Sequence, residues 1–349
     1  MPDTRTIPDA FRRQAVACRH LGSPFTARVC EALADGLTRE TGFGARILGW
    51  EGNPVNDALA LRAAGALNAL ARSGGCAGLA AAYPPHDADD DVLRDAIAAA
   101  MAGHDDFLTC FLDSPPQTNE VARSNALLGG ALHLAAAAGL PLAIHEIGSS
   151  AGLNLVFDRY AYELGAARWG AADAAVTISA DWSGDLPPLD APLRVAARAG
   201  CDINPLDAVR DRERLLAYIW PDQRARLARI AAALTEAART GVAVEKADAG
   251  EWVERHFGHA GERGIVRVLM HTIVWQYLPA ATQARIEAAM ARAGAAATED
   301  APVAWLRAEP DKIDKLSAAV TLTLWPDGEG ETRTLGRTDF HGRWTKWGG

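Results

Sequence analysis

The chain has 349 residues, enough for one large or two modest domains with a sizeable core. Hydrophobic residues make up 49% and charged residues 23%, proportions of an ordinary globular protein. The net charge of −9 argues against a broad nucleic-acid footprint, and no apolar run nears the roughly 20 residues a bilayer span requires. The N-terminus lacks the basic-then-apolar order of a signal peptide, so a cytoplasmic location and no membrane partner are expected. Five scattered cysteines without a Cys-x-x-Cys pair read as buried reduced thiols, and the dispersed histidines give no metal-ligand spacing.

The first part of the chain reads as helical. Phe11, Ala15, Cys18 and Leu21 share one face of a helix from Asp9 that Gly22 stops. Ser23-Pro24 supplies an N-cap and first-turn proline for a second helix, which Gly36 closes. A third helix opens near Asn53-Pro54 and ends at Gly74-Gly75. Tyr83-Pro84-Pro85 breaks the chain, and Asp89-Asp90-Asp91 starts another helix with acids that suit its dipole. Helices over 105–112 and 119–138 complete the region, with no strand before Leu140. Within the last segment, Asn119 and Glu120 suit a helix start, while Gln117, Asn119 and Arg123 are candidate contacts for a carboxylate or a substrate.

From Leu140 the pattern alternates between strands and helices. Strands are expected over 142–147, 195–203, 242–247, 265–271, 303–308, 320–325 and 332–338, the last pair forming a hairpin around Asp327-Gly328-Glu329-Gly330. Helices are expected over 153–164, over 212–238 with an interruption at Trp220-Pro221, and over 280–293. The Gly-, Pro- and Asp-rich stretch 169–192 reads as an insertion covering the ligand edge of the sheet.

The stretch Glu146-Ile147-Gly148-Ser149-Ser150-Ala151-Gly152-Leu153-Asn154 ends an apolar run with an acid and a small-residue loop. Glycines there let a strand turn tightly toward a helix, with backbone close to a ligand. It resembles the first motif of class I S-adenosylmethionine-dependent methyltransferases, and later segments follow in the order that resemblance implies. Gly200-Cys201-Asp202-Ile203-Asn204-Pro205 ends the second strand with an acid for the ribose hydroxyls, for which Asp181 is a rival. Asp248-Ala249 follows the third strand and corresponds to the pair that reads adenine. His271-Thr272-Ile273-Val274-Trp275-Gln276-Tyr277 follows the fourth, where His271 is the candidate base and Gln276 and Tyr277 the orienting groups.

The resemblance implies a Rossmann-like, methyltransferase-type α/β sheet, mainly parallel with a terminal antiparallel hairpin, over 139–349. An all-helical cap domain over 1–138 precedes it. S-adenosylmethionine is the implied cofactor. It would be held by Glu146, Gly148, Ser149, Ser150, Gly152, Asn154, Asp202, Asp248 and Ala249, with no metal. The acceptor is expected to be a small molecule contacted by Gln117, Asn119, Arg123, His341 and Arg343. Two alternatives stand beside this. Gly148-Ser149-Ser150-Ala151-Gly152 also matches Gly-x-Ser-x-Gly, the nucleophile elbow of α/β-hydrolases, with Ser150 followed by Asp248 and by His271 or His341. A protein that binds the cofactor without catalysis is the other.

The chain as a whole also resembles a bacterial family of unknown function. The segments that carry this are Pro116–Ser124, Glu146–Leu155, Asp158-Arg159-Tyr160, Trp220-Pro221-Asp222 and His341-Gly342-Arg343-Trp344.

Overall fold

A computed structural model describes residues 6–117 and 119–348. Seven helices open the chain: α1 (Ile7–His20), α2 (Pro24–Gly36), α3 (Gly42–Leu48), α4 (Leu59–Ser73), α5 (Ala77–Ala81), α6 (Asp90–Gly103) and α7 (Asp105–Phe111). The starts of α1, α2, α3 and α6 follow from side chains that satisfy the unpaired N–H groups of a first turn. Ser23 accepts from Thr26 N ahead of α2, and Asp89 accepts from Val92 N ahead of α6, with Asp90 and Asp91 in that first turn. The short α3 is absent from the sequence reading. Thr41 caps it locally, accepting from Gly44 N at 3.1 Å, and a distant residue adds to the cap: the Asp105 carboxylate takes the N–H groups of Gly42 and Phe43, each at 2.7 Å.

The chain continues through α8 (Ser124–Ala138), β1 (Leu142–Ile147), β2 (Ala161–Leu164), β3 (Ala167–Trp169), β4 (Thr177–Gly184) and β5 (Val195–Asp202). Then come α9 (Arg212–Ala217), α10 (Arg224–Thr240), β6 (Val244–Lys246), α11 (Ala249–Phe257), β7 (Val266–Thr272) and α12 (Ala280–Ala295). Four strands finish it: β8 (Val303–Pro310), β9 (Ala318–Trp325), β10 (Glu331–Thr338) and β11 (Trp344–Trp347).

The chain forms two compact units, 1–118 with 211–231, and 119–210 with 232–349. The helix α8 thus groups with the sheet, and α9 with the first turns of α10 groups with the leading helices. The clasp for that returning segment is Asp222. Its carboxylate takes the Phe25 N–H at 2.9 Å and the Ser23 hydroxyl, both at the start of α2. Asn68 on α4 donates to the carbonyls of Ala217 and Ile219 at 2.8 and 3.0 Å. The segment Trp220-Pro221-Asp222 is therefore a structural latch of the helical unit.

In the second unit, the fold is mixed α/β with a mostly parallel sheet. Eleven strands run in the order β3-β2-β4-β11-β10-β9-β8-β7-β1-β5-β6. The five strands β6, β5, β1, β7 and β8 are mutually parallel. After β1 the chain crosses to the far edge for β2, β3 and β4, returns to lay β5 and β6 on one side of β1, and then passes to the other side for β7 and β8. Such a reversal leaves a crevice between the carboxyl ends of β1 and β7. The strands β8, β9, β10 and β11 pair antiparallel in succession, so the antiparallel part exceeds the single hairpin read from sequence.

Two expectations are corrected here. Residues 153–164 do not form an α-helix: a 3-10 segment, Leu153–Arg159, leads straight into β2. Side chains take the carbonyls that a longer helix would pair, Tyr160 donating to Leu153 O at 2.7 Å and Tyr162 to Phe157 O at 2.8 Å. Asp158 is held sideways by a two-pronged bond from Arg198 on β5. The stretch 169–192 does not cover the ligand edge either. It supplies β4, which pairs with β2 and β11. Asp181 sits there opposite Trp344, separated from β1 by five intervening strands, which ends its rivalry with Asp202. The cysteines also differ from expectation: Cys18, Cys30 and Cys201 are buried, but Cys110 is exposed.

Candidate functional site

Glu146 is the penultimate residue of β1, beside the reversal crevice, and it is 2% exposed. Its Oε1 accepts from Asn154 Nδ2 at 3.1 Å, while Oε2 has no partner among the described residues. A carboxylate without water or a full set of donors disfavours its charge. Burial accordingly pushes Glu146 up to about 7, with Asp202 adding to the rise and Asn154, Ser149 and Arg123 opposing it. Two amide atoms in the same neighbourhood are buried and unpartnered among the described residues. These are Oδ1 of Asn154, whose amide reaches Glu146, and Nδ2 of Asn119, whose Oδ1 accepts from Ala151 N at 3.3 Å. Buried unpaired polar atoms call for an explanation, a ligand or ordered water among them.

The loop after Glu146 is fixed by neighbours on both sides. Ser149 donates through Oγ to Glu146 O at 2.7 Å and through N to Cys201 O at 3.1 Å. Asp202, at the end of β5, accepts the N–H of Ser150 at 2.9 Å and of Asn204 at 2.8 Å. Gly148 and Gly152 adopt left-handed backbone, φ 67° and 72°. Their bare Cα atoms face protein: a Cβ at Gly148 would stand 2.4 Å from Val274 Cγ2, and one at Gly152 would stand 2.6 Å from Val242 Cγ1. The glycines thus serve packing of this loop against the turn after β7 and the loop that leads into β6, where the sequence reading had them admit a ligand.

Strain concentrates at this edge. Among the described residues, three non-glycine residues have positive φ: Ala58, Ser150 and Ile273. Ser150 (φ 51°) lies on the loop leaving β1 and Ile273 (φ 53°) on the loop leaving β7, the two walls of the crevice. A β-branched residue there is a genuine outlier. Such strain persists only where surrounding structure enforces it, and it clusters at functional sites.

The enforcement on the β7 side comes from Glu309 at the end of β8, a residue the sequence reading passed over. Its Oε1 takes the Val274 N–H at 3.0 Å and His271 Nδ1 at 2.6 Å. The Trp305 indole, which can only donate, gives its N–H to His271 Nε2 at 3.0 Å. His271 is therefore the Nδ1–H tautomer, fully buried, with both nitrogens engaged. It also projects from the sheet face opposite Glu146, since Glu146 is level with Met270 in the register. No nitrogen remains for the base role assigned to it from sequence. Gln276 and Tyr277 are exposed on the short turn after β7, Tyr277 at 74%.

The other candidates divide in two. Arg123 comes to the site: it contributes to holding Glu146 down, and its Nε donates to Phe340 O at 2.7 Å. That bond brings the turn containing His341 and Arg343 against the 3-10 segment Val121–Arg123. Buried Asp339 organises this turn by taking the Arg343 backbone N–H and, at 2.7 Å, its Nε. Asp248, by contrast, caps α11, accepting from Glu251 N at 3.1 Å, and Ala249 is that helix's first residue. Gln117 belongs to the first unit, and Thr118 of the same motif lies outside the described residues.

A family model describing uncharacterised proteins conserved in bacteria, DUF2332, matches residues 8–347. The chain belongs to this family. The match spans both units and every candidate named above. No curated protein and no solved structure matches the chain.

Proposed function

We propose that the second unit binds S-adenosylmethionine at the carboxyl ends of β1 and β5 and transfers its methyl group to a small-molecule acceptor. The observation that carries this reading is the charge of the crevice edge. Two carboxylates, Glu146 and Asp202, stand at the ends of adjacent strands and feel one another. No α-helix starts at the loop: the 3-10 segment Leu153–Arg159 replaces the helix whose N–H groups would draw a phosphate. A nucleotide carrying a pyrophosphate would meet repulsion without compensation. A nucleoside carrying a sulfonium and an ammonium meets attraction.

In this reading Asp202 has carboxylate lone pairs left for ribose hydroxyls after holding Ser150 N and Asn204 N. Glu146, Asn154 and Asn119 offer their unpaired atoms, and Arg123 lies close to Glu146. Methyl transfer to an already nucleophilic acceptor needs alignment more than proton removal, so an engaged His271 is no obstacle. The hydrolase alternative has less support. Ser150 has the strained backbone of a nucleophile, but His271 is committed to Glu309 and Trp305, and Asp248 to a helix cap.

Calorimetry with S-adenosylmethionine, S-adenosylhomocysteine, ATP and NAD tests the proposal. Binding of the first two without the phosphate-bearing pair supports it. No heat with either S-adenosyl compound at millimolar concentration overturns it, as does preference for ATP or NAD. Labelling of Ser150 by a fluorophosphonate probe, lost in Ser150→Ala, would move the assignment to the hydrolase reading.

A further inference from the structure

Among the described residues, the two most exposed large aliphatic side chains are Ile313 and Leu316, at 89% and 83%. They belong to the turn between β8 and β9, where the sequence repeats as Asp311-Lys312-Ile313 and Asp314-Lys315-Leu316. Within each triplet the aspartate turns inward and the other two residues are exposed. Asp311 accepts the N–H groups of Ile313 and Asp314, each at 3.0 Å, and Asp314 accepts that of Leu316 at 2.9 Å. Arg337 on β10 grips Asp311 with two nitrogens at 2.8 and 3.0 Å and reaches Asp314 O at 3.3 Å. Ser317 adds a bond to Asp314 and is itself buried.

This is a built turn. Exposure of two aliphatic side chains follows from a framework of side-chain bonds, and both inward acids have a cationic neighbour in Arg337. What the turn shows to solvent is therefore two aliphatic groups flanked by the ammonium groups of Lys312 and Lys315.

Shape and charge together select the partner. A side chain nearly nine-tenths exposed stands on a convex surface, and convex surface cannot enclose a small molecule, which needs a concavity. The partner must surround the side chains itself. Aliphatic groups alternating with lysines match the boundary of an anionic bilayer, with apolar groups among the acyl chains and ammonium groups at the phosphates. We propose that the turn Asp311–Ser317 is a peripheral docking point for anionic membrane surfaces. Contact there is reversible, since two aliphatic groups and two lysines make a weak anchor. No helix of the described residues is long and apolar enough to cross a membrane, and a peripheral contact requires none. The sequence reading, which looked for spans, expected no membrane partner. The inference is independent of the methyl-transfer reading and concerns the turn alone.

Sedimentation of the full chain with vesicles tests it, using phosphatidylcholine alone and phosphatidylcholine mixed with phosphatidylglycerol. Binding is expected to the mixed vesicles and to weaken with added salt. Ile313→Ser with Leu316→Ser should reduce the partition at least about tenfold, as should Lys312→Glu with Lys315→Glu. All four positions are exposed, so the thermal transition should not move. Calorimetric melting of each variant checks that loss of binding is not loss of fold. Absence of binding to mixed vesicles at millimolar lipid overturns the proposal. So does binding that survives both double substitutions. Salt-independent capture of a protein partner through Ile313 and Leu316, without vesicle binding, would assign the turn to a protein groove instead.

Discussion

Replacing Glu146 by glutamine separates the demands of the site from those of the fold. Burial lifts this carboxyl from its ordinary 4.5 to about 7, so between those values the folded chain holds a proton that the unfolded chain has released. Stability therefore falls as pH rises through this window and levels off above about 7, where both states are ionised. The contribution is fully present below 4.5. The interval corresponds to about 3 kcal/mol in total, an order-of-magnitude figure that applies because the group is fully buried. Glutamine has the shape of the protonated acid, and its oxygen can still accept from Asn154. The variant should match the parent within about 0.5 kcal/mol at pH 4.5 and exceed it by about 2–3 kcal/mol at pH 8.

Urea unfolding followed by tryptophan emission suits this measurement, because eight of the ten tryptophans lie in the second unit. Other groups titrate over the same range, but they do so in both proteins and cancel in the difference. A parent-to-variant difference that stays constant from pH 4.5 to 8 would refute the reasoning, since it would mean that Glu146 does not titrate differently in the folded chain. A variant that is more stable yet no longer binds S-adenosylmethionine would show the carboxylate held at a thermodynamic loss for the sake of its ligand.

Three further outcomes are expected. His271→Phe should lower the stability of the second unit by about 2–3 kcal/mol in urea melts, because it removes one of the two donors to the buried acid Glu309 and leaves the Trp305 indole N–H unpaired; an unchanged midpoint would return His271 to the list of bases. Gly148→Ala should destabilise by about 2 kcal/mol or more through its positive φ and the clash with Val274, and adding Val274→Ala should recover part of that loss; a double variant no better than the single would show that the contact is not the cause. Asp222→Ala should lower the stability of the helical unit by about 1–3 kcal/mol by freeing the Ser23 hydroxyl and the Phe25 N–H, and an unchanged calorimetric transition would exclude the latch.

Local rules made much of the fold legible. The helix starts at Ser23-Pro24 and Asp89 rest on bonds within one turn, and the central strands β1, β5, β7 and β8 are apolar runs bounded by loop residues. Elements whose determinants lie far along the chain were missed. For α3 the local cap Thr41 is joined by a distant acid, Asp105. The 3-10 segment after the loop owes its form to Arg198 and to tyrosines that bond backward. β4 did carry a local signal, since Val176, Ile178, Ala180 and Trp182 alternate with Thr177, Ser179, Asp181 and Ser183 at the period of a half-buried strand, but the Gly, Pro and Asp residues around it made the stretch read as a loop. At the site, Glu146 and Asp202 were found because an acid at the end of a parallel strand has few other reasons to be there. Glu309 obeys the same rule at the end of β8, and attention to His271 concealed it.

The glycines show how a correct motif can carry a wrong reason. Gly-x-x-x-Gly after a strand was read as room for a ligand, yet both Cα atoms face valines of neighbouring loops, Val274 after β7 and Val242 before β6. Close packing of the loop against Val274 and Val242 is what forces the chain between them, and Ser150 absorbs the strain at φ 51° while Asp202 holds its N–H. The same tie fixes the carboxylate of Asp202 at the edge of the crevice beside Glu146. Loop strain, acid placement and ligand charge are thus one constraint: a loop pinned by valines requires an acid to hold its strained turn, and two acids so placed turn away phosphates. Substitution of Asp202 should therefore loosen the loop and, on the proposed reading, weaken ligand binding together with it.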